Sequence, residues 1–89
     1  KESIVTNKLN EVLSSVSKFI SETQRQDILI YINANEWGLA IEVLCDFLYE
    51  DEFPISVKDY DLLKEVGSML HLESQTWEIL EHQIANEDD

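Results

Sequence analysis

The chain has 89 residues, 44% of them hydrophobic, which is enough for a single domain with a modest core and excludes a disordered chain. At this size folding should leave roughly 5,400 Å² of surface from roughly 15,000 Å² unfolded, so stability is slender. A formal net charge of −13 argues against direct binding to nucleic acid or to an anionic membrane, since both need a basic face.

Helical periodicity runs through nearly the whole chain. Ile4/Val5, Leu9, Val12/Leu13, Val16 and Phe19/Ile20 form one stripe of a first helix. Ser21 followed three residues later by Gln24 reads as a capping box for a short second helix carrying Ile28, Leu29 and Ile32. Asn33-Ala34-Asn35 breaks that helix, and Asn35 is expected to cap the third. The third helix, residues 36–50, is the most apolar, with Trp37, Ala40, Ile41, Leu44, Phe47 and Leu48.

Asp51-Glu52-Phe53-Pro54-Ile55 is a connector, because Pro54 lacks the amide donor that a helix interior needs. Ser56 with Asp59 resembles a second capping box, opening a helix with Leu62, Leu63, Val66, Met69 and Leu70. Ser74 is expected to cap a last helix holding Trp77, Leu80 and Ile84, after which Asn86-Glu87-Asp88-Asp89 frays as an acidic tail. No window alternates as a strand would. The expected fold is all-α, a single compact bundle of about five helices over residues 1–89.

The sole cysteine, Cys45, allows no intramolecular disulfide, which fits a reducing cytoplasm. No run approaches the 18 or so apolar residues of a membrane span, and Lys1-Glu2-Ser3-Ile4-Val5 has no signal-peptide hydrophobic region. The missing initiator Met points to a trimmed or longer chain. A cytoplasmic protein is the expectation.

Charge is unevenly placed. Residues 1–32 carry four bases and four acids, whereas residues 33–89 carry fifteen acids against Lys58 and Lys64. Within the third helix Glu42, Asp46 and Glu50 repeat at i, i+4 and i+8, so like charges stack at about 0.2–0.5 kcal/mol each. Glu50, Asp51 and Glu52 crowd the helix C-terminus, where the macrodipole disfavours anions by roughly 0.3–1 kcal/mol. Tyr49 and Leu39 flank these carboxylates, and Asp61 and Glu65 occupy the polar face of the next helix, expected beside them. The plain alternative is an ordinary solvated face that serves solubility. Against it stand the uncompensated stacking and the aromatic and apolar groups set among charges of one sign, which suit a binding interface. The candidate partner-binding residues are therefore Glu42, Asp46, Tyr49, Glu50, Asp51, Glu52, Asp61 and Glu65.

Chemistry is harder to find. The acids lack the twelve-residue loop with a central glycine that calcium requires. His71 and His82 form no zinc-type pair. His82 is expected on an exposed face, and His71 ends the fourth helix, where a basic side chain helps cap carbonyls. Cys45 reads as a small buried hydrophobe, and Trp37, Trp77 and Phe47 as core. The expectation is a protein that is no enzyme, with no cofactor, metal or small-molecule substrate.

The stretch Glu36-Trp37-Gly38-Leu39-Ala40-Ile41-Glu42-Val43-Leu44-Cys45-Asp46-Phe47-Leu48-Tyr49-Glu50 resembles the signature of MafI-like immunity proteins. The likeness continues through Pro54-Ile55-Ser56 and Tyr60-Asp61-Leu62-Leu63-Lys64-Glu65-Val66-Gly67 to Trp77, about half of the chain. Such proteins, like the CdiI-type inhibitors of contact-dependent growth inhibition, neutralise a toxin delivered by a sibling bacterium. Several of those toxins are nucleases, including EndoU-type ribonucleases that cut tRNA. The resemblance thus implies a cytoplasmic toxin inhibitor, and the charge asymmetry favours a basic toxin domain as its partner. The acidic stripe supplies a mechanism: a carboxylate array could occupy the groove that binds RNA phosphates. Within the motif Trp37, Gly38 and Leu44 are read as packing residues, Gly38 permitting close helix approach. The competing reading is an acidic helical adaptor or carrier of the acyl-carrier kind, but the Asp-Ser-Leu that would carry phosphopantetheine does not occur.

Overall fold

The computed structural model describes residues 2–85. They form α1 (Glu2–Val16), α2 (Glu22–Asn33), α3 (Trp37–Glu50), α4 (Val57–Met69), the single turn α5 (Gln75–Glu78) and a 3₁₀ turn at Glu81–Gln83. The fold is all-α, as the periodicity predicts, and the acidic tail of residues 86–89 lies outside the described residues. A Cα radius of gyration of 12.0 Å and a surface of 5309 Å² match a single packed bundle of this length.

Local chemistry explains where the helices start. The Ser21 hydroxyl accepts from the Gln24 amide, and the Gln24 side chain accepts from the Ser21 amide, so the expected capping box is complete. Glu22 adds a bidentate clasp to Arg25 and a bond from Gln26, which together hold its carboxyl down at about 2. At α4 only half of the expected box forms. Ser56 accepts from the Asp59 amide at 3.0 Å, but the Asp59 carboxylate turns away and accepts from Ser15 Oγ at 2.6 Å. Asp59 is only 4% exposed, so it ties α1 to the first turn of α4 from within the protein.

The helix ends follow a common plan that runs against two of the expected caps. Asn35 does not cap α3; it stops α2, with φ of 61°. The Asn35 amide donates to Ile32 O and the Glu36 amide to Tyr31 O, the bond pair of a Schellman motif. Glu52 (φ 54°) ends α3 in the same way, through Glu52 N to Tyr49 O and Phe53 N to Leu48 O. His71 (φ 62°) ends α4 through His71 N to Ser68 O and Leu72 N to Gly67 O. The contribution of His71 is therefore its left-handed backbone rather than a basic side chain on carbonyls. None of the three positions is a glycine. Ser74, expected as a cap, makes no side-chain cap bond, and α5 ends after one turn. Likewise α1 ends at Val16 rather than near Ile20, where the Ser17 hydroxyl bonds back to Ser14 O and the chain turns.

Val5, Leu9, Val12, Leu13 and Val16 of α1, Ile28 and Ile32 of α2, Ala40, Ile41, Leu44, Cys45 and Leu48 of α3, and Leu63 and Val66 of α4 are all buried in one cluster. Trp77 and Leu80 close it from the C-terminal side. Trp37 and Phe47 pack against its edge, partly buried. In the packing α4 lies chiefly on α1 and α2 chiefly on α3. Two ion pairs, Lys8–Glu65 and Lys58–Glu11, bridge α1 and α4 on the surface. The Phe19 and Phe53 rings stack at 5.1 Å, linking the α1–α2 turn to the connector after α3.

The segment after α5 crosses back as a strap. The Ile55 amide donates to Gln83 O and the Ala85 amide to Ile55 O, an isolated parallel bridge centred on Ile55 and Ile84. No other strand-like pairing occurs among the described residues.

Candidate functional site

The acids of α3 stand where their spacing puts them. Glu42, Asp46 and Glu50 share the solvent face, Asp51 and Glu52 follow at the C-terminal turn, and all five are exposed. Tyr49 is 45% exposed and Leu39 41%, so both apolar neighbours lie open beside the carboxylates. Among the described residues the ion pairs are Lys8–Glu65, Arg25–Glu22 and Lys58–Glu11. None of them reaches an acid of α3. Exposed Lys18 rests over the Phe19 ring at 5.3 Å.

Two surface grooves run along this face. One is lined by Glu42 and Asp46 from α3 and by Glu73, Gln75, Thr76 and Ile79 from the C-terminal segment. The other is lined by Tyr49, Glu50 and Glu52 on the α3 side and by His82 and Gln83 of the strap. Each groove thus has one wall from the α3 side and one from residues 73–83. We call the two grooves together the acidic seam.

The candidate set is only partly brought together. Glu42, Asp46, Tyr49, Glu50 and Glu52 line the seam, and Asp51 adjoins it at the end of α3. Glu65 does not join them: because α4 packs on α1, its carboxylate pairs with Lys8 at 3.4 Å. Asp61 belongs with the strap, where its charge acts on the Tyr60 phenol alongside those of Glu78 and Glu81. Burial, the hydrogen bond to Glu81 at 3.2 Å and these charges push that phenol up to about 12.

Sequence reasoning missed Glu73, His82 and Gln83 as parts of this surface. Glu73 lies between helices and carried no periodic signal, and the placement of His82 depends on the strap. Cys45 lies beneath the seam, fully enclosed, and burial followed by the charges of Asp46 and Glu42 pushes its thiol up to about 12. That protonated, enclosed sulfur behaves as packing.

The acids repeat along a helix rather than converge on a point. Among the described residues no group of three or more His, Cys, Asp or Glu side chains is placed to hold a metal ion. No helix there is long and apolar enough to cross a membrane. What the arrangement offers is a row of negative charge, Glu42 to Glu50, about two helical turns long.

Comparison with known proteins finds no matching family model, no matching curated protein and no matching solved structure.

Proposed function

We propose that this chain is an immunity protein that binds and neutralises a cognate contact-dependent inhibition toxin, in the cytoplasm of the cell it protects. The partner is a basic toxin domain, and a ribonuclease of the EndoU type that cleaves tRNA fits best. One observation carries the reading. Glu42, Asp46 and Glu50 stack on one exposed face with no ion pair among the described residues, while the paired bases there lie on α1, α2 and α4. The MafI-like resemblance of residues 36–77 supports it independently of charge.

The exposed acidic row supports a mechanism of charge mimicry. A ribonuclease must present cations to phosphates, so an acidic row can cover the same groove in place of RNA. Long-range attraction speeds encounter, and Tyr49 offers an aromatic anchor of the kind that dominates interface energies. Asp61 and Glu65 then contribute to the field rather than to the contact, since neither lines the seam.

The test is co-purification with the toxin domain encoded beside this chain, followed by RNA cleavage with and without the protein. Association with loss of cleavage is expected, and D46K/E50K should abolish it at physiological salt while the protein stays folded. Association with cleavage intact would point instead to an adaptor. Unchanged binding by the reversal variant would return the acidic row to a solubility role.

A further inference from the structure

We propose that the cleft between the end of α1 and the start of α4 is a socket for one guanidinium group, carried by an arginine side chain, with Asp59 as the carboxylate that receives it and Lys18 as the cation it displaces. The proposal does not depend on the acidic seam.

Asp59 is 4% exposed, yet only one of its oxygens is satisfied among the described residues: Oδ2 accepts from Ser15 Oγ at 2.6 Å. Its place in the first turn of α4 suits a negative charge, because the free amides of a helix start carry partial positive charge. That favours the charge without supplying a partner for Oδ1. Neither neighbouring base neutralises it. Lys58 pairs with Glu11 at 3.4 Å, and the Lys18 ammonium lies over the Phe19 ring. Buried charged groups are ordinarily paired, so the open oxygen calls for an occupant.

Oδ1 is not sealed into the core. Among the described residues the one enclosed side-chain nitrogen or oxygen without a partner is Trp37 Nε1, so Oδ1 is reached from outside. The way in is a cleft of about 260 Å³ whose lining includes Ser15, Lys18, Phe19, Pro54, Ser56 and Asp59. Sites for drug-sized ligands measure roughly 300–1,000 Å³, so this one suits a single long side chain.

The lining selects the chemistry of that side chain. The Ser15 hydroxyl hydrogen is spent on Asp59, which leaves its oxygen free to accept. Ser56 Oγ accepts the Asp59 amide at 3.0 Å and keeps a second lone pair. Together with Oδ1 these are acceptors, so the occupant must bring donors and positive charge. Phe19 adds an aromatic face, steadied by stacking on Phe53 at 5.1 Å. The Lys18 ammonium, 5.3 Å from its centroid, already uses that ring as a cation site. A guanidinium meets both demands, since its planar fork of donors pairs with a carboxylate while its face stacks on a ring. A compact ammonium pairs but does not stack. Lys18 is exposed, so it can swing into solvent when the socket fills.

The experiment is an NMR titration of the full chain with N-acetyl-argininamide, following the amides of Ser15, Phe19 and Asp59, with Leu44 as control. Saturable shifts at the first three are expected, with affinity several-fold above that of N-acetyl-lysinamide and at least tenfold above that of N-acetyl-norleucinamide. Asp59→Asn should weaken binding at least tenfold. Lys18→Met, a surface change that leaves the fold intact, should tighten it several-fold by removing the resident cation. Equal binding of the norleucine compound, or shifts confined to Glu42 and Asp46 on α3, would overturn the socket. Unchanged or weaker binding by Lys18→Met would overturn the displacement. Agmatine carries the same head group on a free amine, and tenfold tighter binding of agmatine would overturn the assignment to an arginine side chain in favour of a small guanidino compound.

Discussion

The Trp77 indole occupies the space that a Cβ on Gly67 would need: such an atom would lie 2.3 Å from Cζ3 and 2.6 Å from Cε3 of the ring. Gly67 sits inside α4, where helix propensity alone disfavours glycine by about 1 kcal/mol relative to alanine. Its presence is explained by the ring. Trp77 is 4% exposed, so it has no room to swing aside.

Gly67→Ala should therefore destabilise the protein by about 1–3 kcal/mol, the range for overpacked cores, despite the better helix former. The urea midpoint measures this. A stabilised variant would mean that α5 slides away from α4 at little cost. Gly38 provides the contrast. A Cβ there would meet only Leu72 Cδ2, at an ordinary contact distance of 3.4 Å, so the close helix approach expected of Gly38 is not what requires a glycine.

Glu52→Gly and His71→Gly should each raise stability by about 0.5–1 kcal/mol, seen as a higher melting temperature. A non-glycine residue in the left-handed region costs about 1–2 kcal/mol, offset in part by the entropy that glycine loses on folding. Asn35→Gly should change stability least, since asparagine tolerates this conformation best. Glu52→Gly also removes an anion from the α3 C-terminus, so it should be the more stabilising of the first two. Loss of partner affinity together with that gain would mark Glu52 as a residue kept for binding.

Ser15→Ala should cost about 1–3 kcal/mol, because it removes the hydroxyl donor from the buried Asp59 carboxylate. The double variant S15A/D59A should cost less than the sum of the two single changes, which a double-mutant cycle in urea would resolve. Strict additivity would mean that the tie contributes nothing beyond its parts.

Above about pH 9 stability should fall as pH rises towards 12. Cys45 is raised from 9.0 to about 12 and Tyr60 from 10.0 to about 12, so the folded protein keeps protons that the unfolded chain has lost. The folded state binds more protons across this window, and stability therefore declines with pH within it. Urea midpoints at a series of pH values check this. Cys45→Ala should remove the part of the decline that begins near 9, and Tyr60→Phe the part that begins near 10.

Much of this architecture was legible residue by residue. The capping box of Ser21 and Gln24 formed as written, and so did the cap of Ser56 on the Asp59 amide. The apolar stripe of α3 is buried and its acidic stripe exposed, because a helix converts spacing directly into facing. The misreadings have a shared cause. Asn35 suits a helix start and a left-handed stop equally well, and only the bonds from Asn35 and Glu36 back to α2 select the stop. Asp59 suited a capping box until Ser15, 44 residues away in sequence, offered it a better-placed donor.

The amino-acid sequence by itself determined the all-helical class, the spans of the first four helices to within a few residues and the acidic row on α3, but not the last helix, which ends after one turn before Ile84 enters a bridge. Those features depend on contacts within about one helical turn, which hydrophobic period and capping chemistry encode locally. The tertiary structure alone decided which surface that row belongs to. It paired α4 with α1, drawing Glu65 to Lys8, and it folded the C-terminal strap across the end of α3. Gln83 reaches Leu48 across 35 residues and Phe53 across 30, and no local pattern announces bonds of that range. They form because Leu80 and Trp77 are buried against the same core, carrying the strap into place once the helices have packed.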